Sequence, residues 1–327
     1  MTVKTLIEGI REALDEEMER DDRVWVLGED VGKKGGVFLA TEGLYGKFGE
    51  DRVLDTPLAE SCIVGVAIGA ALNGLIPVAE IQFADFIHSA FDQIVSEAAR
   101  IRYRSNGDWN CPITIRTPYG GGVHGGLYHS QSIEAFYAHV PGLKVVTPAT
   151  PEDAKGLLKS AVRDPDPVLF LEHKKTYRLI RGEIPDAEYT TPLSKAAVRR
   201  EGTKLSVFAW GLMLHSCLEA AEQVAADGVS VEVVDLRTLK PLDKETVLAS
   251  VRKTGKALVV YEDNLTGGFG AEIAAIIADE AFDHLDGPVM RVAAPDVPAM
   301  PFNKPQEDAF LPNPEKIAAA MRKLAAY

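Results

Sequence analysis

The sequence predicts an α/β protein of two domains, each built on a mostly parallel sheet, and three observations lead to that class. Apolar strand-like runs alternate with amphipathic helical stretches through most of the chain, the pattern of parallel βαβ units. The 327 residues exceed what one hydrophobic core usually organises. Between about Lys175 and Gly202 the apolar periodicity fades into a charged, proline-containing stretch. This divides the chain into residues 1–185, a linker at 186–202 and a second, smaller domain at 203–327.

Leu6, Ile7, Ile10, Ala13 and Leu14 recur at helical spacing and open the first domain with an amphipathic helix. Residues 23–27 read as a short strand running into Gly28. The stretch Gly32-Lys33-Lys34-Gly35-Gly36 lacks the GxxxxGK[ST] spacing of a phosphate loop and reads as a flexible connection. Pro57 stops the next extended run, because its ring fixes φ and removes a donor. Glu60 then stands at the mouth of a helix rich in Gly65, Ala67, Gly69, Ala70, Ala71 and Gly74. Such small residues suit close approach to another backbone, so Glu60 is expected to be largely desolvated, which raises a carboxyl pKa. Taken alone, the same residue reads as a first-turn carboxylate complementing the helix dipole.

Residues 75–83 read as a buried strand, and Ala84-Asp85-Phe86 leads into a helix. Gln82 and Phe86 thus lie at an element end beside Glu60, where open α/β sheets bind ligands. A helix is expected over 87–104, with Phe91, Ile94, Val95, Ala98 and Ile101 on its stripe and Arg100, Arg102 and Arg104 facing solvent or a subunit. Residues 112–117 form a strand, followed by a loop running from Tyr119 to Gln131 and containing His129. Gly120, Gly122 and Gly125 spell GxGxxG, but no amphipathic helix opens at the third glycine, so a dinucleotide site is not expected. The loop is expected to be mobile or closely approached by a ligand. Val145-Val146-Thr147-Pro148 reads as a strand end, and further strands are read at 167–172, 205–210, 231–235, 257–261 and 289–292. Asn313-Pro314-Glu315 supplies a cap, a first-turn proline and a dipole-matching acid for a last helix. Glu262-Asp263 and the turn Gly267–Gly270 read as structural or interfacial.

Hydrophobic content of 46% and charged content of 25% are those of an ordinary globular protein. The net charge is 35 − 48 = −13, which argues against a nucleic-acid partner. Cys62, Cys111 and Cys217 show neither CxxC pairing nor metal-ligand spacing and read as reduced core thiols. No signal peptide or membrane span is read, so the expected compartment is the cytoplasm, or the mitochondrial matrix after removal of a transit peptide.

Several long motifs in order resemble the β subunits of thiamine-diphosphate-dependent 2-oxo acid dehydrogenases, the pyruvate dehydrogenase β-subunit family. They are DTPLAESCIVGVAIGAALNG, AEIQFADF, DQIVSEAARIRYRS, GLYHSQS, PGLKVVTP, DAKGLLKSAVRDPDPVLFLEHK and DLRTLKPLD. GGLYHSQS and AEIQFADF favour the branched-chain group of that family. The match departs from the family pattern at Val297-Pro298-Ala299-Met300. The resemblance implies a transketolase-like fold, with a pyrimidine-binding domain followed by a transketolase C-terminal-like domain. It implies oxidative decarboxylation of a 2-oxo acid of the 3-methyl-2-oxobutanoate type, in branched-chain amino acid catabolism, with acyl transfer to a lipoyl-bearing acyltransferase. Pyruvate or acetoin dehydrogenase is the alternative within the family, and a non-catalytic nucleotide-binding or scaffold subunit the alternative of another class.

Residue roles follow from the resemblance by position. Glu60 corresponds to the glutamate that hydrogen-bonds the cofactor's aminopyrimidine and promotes loss of the thiazolium C2 proton. Phe86 would pack on the pyrimidine, and Leu58 and Gln82 would line the same pocket. His129 corresponds to a histidine near the thiazolium and the lipoyl approach; without the resemblance it is a loop histidine. Related subunits hold a structural potassium ion at the positions of Ile113, Ala161, Asp164 and Asp166. Gly107-Asp108-Trp109-Asn110 lacks the second glycine of the GDG motif that holds magnesium and diphosphate. The resemblance therefore implies an α subunit that supplies the magnesium site, in an α2β2 heterotetramer.

Overall fold

The computed structural model describes all 327 residues. It divides into one unit of residues 1–119 and 136–193 and another of residues 120–135 and 194–327. The first unit opens with β1 (Thr2–Thr5), whose last residue caps α1 (Leu6–Arg20). The Glu8 carboxylate accepts the Thr5 N–H at 2.7 Å while the Thr5 hydroxyl accepts the Glu8 N–H at 3.4 Å, a reciprocal capping box. The predicted stripe of α1 is buried and extends to Met18.

The chain continues through β2 (Val24–Gly28), α2 (Leu44–Phe48), β3 (Val53–Asp55), α3 (Glu60–Leu72) and β4 (Ile76–Glu80). Next come α4 (Ile101–Arg104), β5 (Thr114–Tyr119), α5 (Glu134–Ala138), β6 (Lys144–Val146), α6 (Pro151–Val162), β7 (Val168–His173), α7 (Thr176–Leu179) and β8 (Arg181–Ile184). Strands β6, β7, β5, β4, β2 and β3 pair in that order and all run parallel. Both faces of such a sheet are covered, which is why its strands read as nearly continuous apolar runs. Helices α1 and α6 pack on each other over a core that includes Val24, Val26, Val78, Val168 and Phe170.

One expected helix is not uniform. Residues 84–90 and 98–100 are wound as 3-10 turns and residues 93–97 as a π turn, before α4. Each change of pitch rotates the following side chains, so Ile94, Ala98 and Ile101 are buried while Phe91 is exposed and Val95 only half-buried. Arg102 and Arg104 pair with Asp166 and Glu97 on the surface.

The second unit contains β9 (Ala197–Arg200), β10 (Leu205–Ala209), α8 (Leu212–Ala225), β11 (Val231–Asp235), β12 (Thr238–Lys240) and α9 (Lys244–Thr254). It continues with β13 (Ala257–Asn264), α10 (Gly270–Glu280), β14 (Met290–Ala294), α11 (Lys304–Phe310) and α12 (Pro314–Ala325). Its five-stranded sheet runs β14-β13-β10-β11-β9, parallel except for β9. Strand β9 lies inside the stretch expected to be a linker. Its charge belongs to a sheet edge: Arg200 pairs with Glu222 and Arg199 with Asp235. Residues 189–191 are likewise tied down, the Tyr189 hydroxyl donating to the Glu152 carbonyl and the Thr191 N–H to that of Gly156. Asn313 caps α12 as the sequence predicts, accepting the Lys316 N–H at 2.9 Å. No helix is long and apolar enough to cross a membrane.

Candidate active site

The parallel sheet of the first unit brings three chain crossings together at its C-terminal end, with Gly28 beside Glu80 and Glu80 beside Arg116 in register. Glu29 and Asp30 follow β2 there, and Glu60 enters as the first residue of α3, whose N-cap Ala59 offers no side-chain acceptor. The Gln82 amide donates to Asp30 Oδ2 at 3.4 Å. Burial, then the charges of Asp30 and Glu60, hold the Glu29 carboxyl above its usual range. Phe86 meets Phe83 edge-on at 5.9 Å, Phe83 meets Phe38 at 5.6 Å, and Phe38 meets Tyr177 at 5.3 Å. Helix α3 packs against the turn of 84–90. Glu60, Gln82 and Phe86 are thus gathered where open α/β sheets take ligands.

Beneath them lies a network that sequence reasoning missed. Arg116 is fully buried and donates to Glu172 through Nε at 2.7 Å and Nη2 at 2.8 Å, and to Glu80 through Nη1 at 2.7 Å. The Tyr177 hydroxyl donates to Glu172 at 2.5 Å. Burial, with Glu172 nearby, raises Glu80 in spite of Arg116, and burial with the Glu172 charge raises Tyr177. Burial works against the Arg116 charge, but the two carboxylates hold it protonated. Three charges interrupting apolar strands were the signal available in the sequence.

Two expectations about Glu60 and its helix are corrected. Glu60 is half-buried rather than desolvated, and Leu58 is 70% exposed, so within this chain it closes no pocket. The small residues of α3 do not press on another backbone: a Cβ on Gly65 or Gly69 would meet nothing within 4 Å. Cys62, Gly65, Val66 and Gly69 form an exposed stripe, and Cys62 is therefore not a core thiol, whereas Cys111 and Cys217 are buried.

His129 belongs to the second unit, half-buried at the end of the 3-10 turn Gly126–Tyr128. The glycines of its loop are closely approached by the protein's own C-terminal segment: a Cβ on Gly121 would stand 2.6 Å from Met300 Cε, and one on Gly126 3.2 Å from the Phe302 ring. The loop is held by carboxylates. Glu262 accepts the Gly121 N–H at 2.5 Å, and Glu307 the Gly122 N–H at 2.8 Å. Glu134, fully buried at the loop's end, accepts the Trp210 Nε1–H at 3.0 Å. Burial, then the Asp263 charge, pushes Glu134 up to about 8.

The remaining candidates lie at the opposite, N-terminal edge of the first sheet. Asp108 and Asn110 precede β5, far along the strands from Glu60, and line a cleft of about 590 Å³ with Trp109, Arg23, Arg163 and Asp164. The four positions associated with potassium converge on the turn between α6 and β7. The Asp164 N–H donates to the Ala161 carbonyl and the Val168 N–H to that of Ile113. Asp164 pairs with Lys144 at 2.6 Å, and Asp166 with Arg102 at 2.5 Å.

Comparison with known proteins places this geometry in a family. Residues 3–180 match the transketolase pyrimidine binding domain, and residues 194–317 the transketolase C-terminal domain. The chain is 60% identical to the 2-oxoisovalerate dehydrogenase subunit beta of Bacillus subtilis (strain 168) over 327 residues, covering 100% of both chains. It is 52% identical to the pyruvate dehydrogenase E1 component subunit beta of the same strain, again over 100% of both. A solved split-gene transketolase, described as an inactive beta4 tetramer, superposes with a TM-score of 0.80 at 26% identity, covering 98% of each chain. The chain belongs to the thiamine-diphosphate-dependent family of 2-oxo acid dehydrogenase β subunits, built on the transketolase pyrimidine-binding and C-terminal domains.

Proposed function

We propose that the chain is the β subunit of a 3-methyl-2-oxobutanoate (2-oxoisovalerate) dehydrogenase of the 2-methylpropanoyl-transferring kind, active when joined to an α subunit in an α2β2 assembly. The observation that carries this reading is the 60% identity to the Bacillus subtilis 2-oxoisovalerate dehydrogenase subunit beta over the whole of both chains. The site is consistent with it. A carboxyl, an amide and an aromatic face at one sheet end suit a flat ring bearing nitrogen donors and acceptors, so the residues fit the pyrimidine half of thiamine diphosphate. When bound, that cofactor supplies the electron sink through which a 2-oxo acid loses carbon dioxide.

In this reading Glu60 holds a ring nitrogen and moves a proton there, which a carboxyl does efficiently near neutral pH when water is kept from it. Cover of the exposed α3 stripe by the α subunit meets that requirement. Phe86 packs on the ring face, while Gln82 and Leu58 complete the pocket. His129 acts later, when the acyl group passes to a lipoyl group carried by the acyltransferase partner. The α subunit supplies magnesium and the diphosphate contacts, since Asp108 stands at the wrong edge of the sheet. Potassium belongs to the same reading at Ile113, Ala161, Asp164 and Asp166. Lys144 and Arg102 already neutralise the two carboxylates, so carbonyl oxygens, each with a second lone pair, are the donors left for it. The assembly is placed in the cytoplasm.

A second reading, pyruvate dehydrogenase, draws on the 52% identity to that enzyme's subunit beta. Steady-state kinetics of the chain coexpressed with an α subunit decide between them. A branched apolar pocket discriminates by roughly 1–3 kcal/mol per methylene, so kcat/KM should favour 3-methyl-2-oxobutanoate over pyruvate by about 10-fold or more. A higher value on pyruvate selects the second reading, and inactivity on both defeats the two together.

A further inference from the structure

The loop that carries His129 takes its shape from a clamp in the C-terminal domain. Glu307, on α11, is 1% exposed, and its Oε1 accepts two backbone donors, the Gly122 N–H at 2.8 Å and the His124 N–H at 3.3 Å. Its Oε2 lies 2.5 Å from His124 Nδ1. Glu262, in β13 and 4% exposed, accepts the Gly121 N–H at 2.5 Å and the Ser132 hydroxyl at 3.3 Å. The loop's base is closed by the Gly120 N–H donating to the Gln131 carbonyl at 3.0 Å. Hydrogen bonds to an ionised acceptor are about twice as strong as neutral ones, and a buried carboxylate stripped of its donors keeps its full desolvation cost. The loop therefore cannot lift away without stranding both acids.

The clamp reaches His129 through a short, stiff path. His124 sits at φ 58°, an uncommon backbone region for a side-chain-bearing residue, while its amide and ring both face Glu307. A Cβ on Gly125 would lie 2.7 Å from the His129 carbonyl oxygen and 2.8 Å from His129 Cβ, so His129 folds directly back over the clamped segment. Met300 and Phe302 fill the space beside Gly121 and Gly126, leaving the loop little room to shift.

We infer that Glu307 and Glu262 are positioning residues that fix the His129 loop in the geometry needed for acyl transfer, an inference that rests on the role given to His129 above. Each acid acts through the loop, on its backbone amides and on the His124 and Ser132 side chains. The test uses the assembled enzyme. Glu307→Ala should speed deuterium exchange of the Gly122 and His124 amides by about 10-fold or more, because their acceptor is gone. It should lower the rate of lipoyl-domain acylation by about 10-fold to 100-fold, the usual effect of a misplaced group, with single-turnover decarboxylation to a dye acceptor held within about 2-fold. Glu307→Gln keeps one accepting oxygen and should fall between wild type and alanine in both readouts. Should the alanine variant not assemble, wild-type exchange and wild-type acylation in Glu307→Gln overturn the inference. Equal loss of both chemical steps in Glu307→Ala, or unchanged amide exchange, also overturns it. His129→Ala is measured in parallel: if it slows both steps alike, the role of His129 fails, while the exchange data still report whether the clamp exists.

Discussion

A carboxyl at the first position of a helix sits among unpaired backbone amides, which favour its charge, whereas proton shuttling requires that it also be content as the neutral acid. Glu60 stands at that point, with no side-chain cap ahead of it and with Glu29 and Asp30 as acidic neighbours. If dipole compensation were its whole role, Glu60→Gln would cost about 0.3–1 kcal/mol of stability and leave activity intact. If it exchanges a proton with the pyrimidine ring, the amide cannot replace it, and turnover should fall by roughly 100-fold or more while assembly survives. Exchange of the cofactor's thiazolium C2 proton in deuterated water, in the assembled enzyme without substrate, measures the step directly. Wild-type exchange in Glu60→Gln would remove Glu60 from the proton path. The place of Glu60 was legible from Pro57 and the small-residue run after it. Its exposure was not, because exposure depends on what covers Cys62, Gly65, Val66 and Gly69, and one sequence holds no record of that cover.

Strands β4, β5 and β7 each carry one member of the buried triad, so Glu80, Arg116 and Glu172 couple three neighbouring chain crossings. The triad supports the site from below, through Tyr177 and Phe38 to Phe83 and Phe86. Arg116→Met should leave two buried carboxylates without a counter-charge, a loss of about 3–5 kcal/mol. At that size the Tm of this unit should fall by roughly 6–20 °C at neutral pH. The deficit should shrink as pH falls, because burial holds the Glu80 carboxyl above its ordinary range and proton uptake then removes its uncompensated charge. Calorimetry across pH 5 to about 8 checks this; a Tm within about 2 °C of wild type at neutral pH would show the triad to be dispensable. Elements of this kind mark the boundary of sequence reading. The apolar periodicity located most of the strands to within a few residues, though not the short β1, β8 and β12, and the Asn313-Pro314 pair located α12. Strand β9 escaped because an edge strand carries charge and loses the alternation that identifies strands, so Arg199 and Arg200 passed for linker. The broken pitch of 84–104 escaped because 3-10 and π turns share the residue preferences of an ordinary helix.

At the scale of the molecule, the division of the chain does not follow the order of the sequence. Residues 120–135 group with the C-terminal unit because Glu262 and Glu307 bind them across separations of 141 and 185 residues. Contacts that long leave no local pattern, so the fold class was legible and this exchange of a loop between units was not. The same scale governs cofactor capture. The side chains form no group of three His, Cys, Asp or Glu suited to a metal ion, and Asp108 lies at the sheet edge away from Glu60. A diphosphate is held chiefly by its metal and the groups around it. In the proposed reading the isolated chain offers Glu60, Gln82 and Phe86 for one end of thiamine diphosphate and leaves the charged end without a clamp. Its Kd for the cofactor, with magnesium present, should therefore be about 100-fold or more above that of the α2β2 assembly. Titration calorimetry on both preparations, with and without magnesium, gives the comparison. Tight, magnesium-dependent binding by the isolated chain would mean that this chain builds a diphosphate site of its own, and the division of the cofactor between two subunits would have to be abandoned.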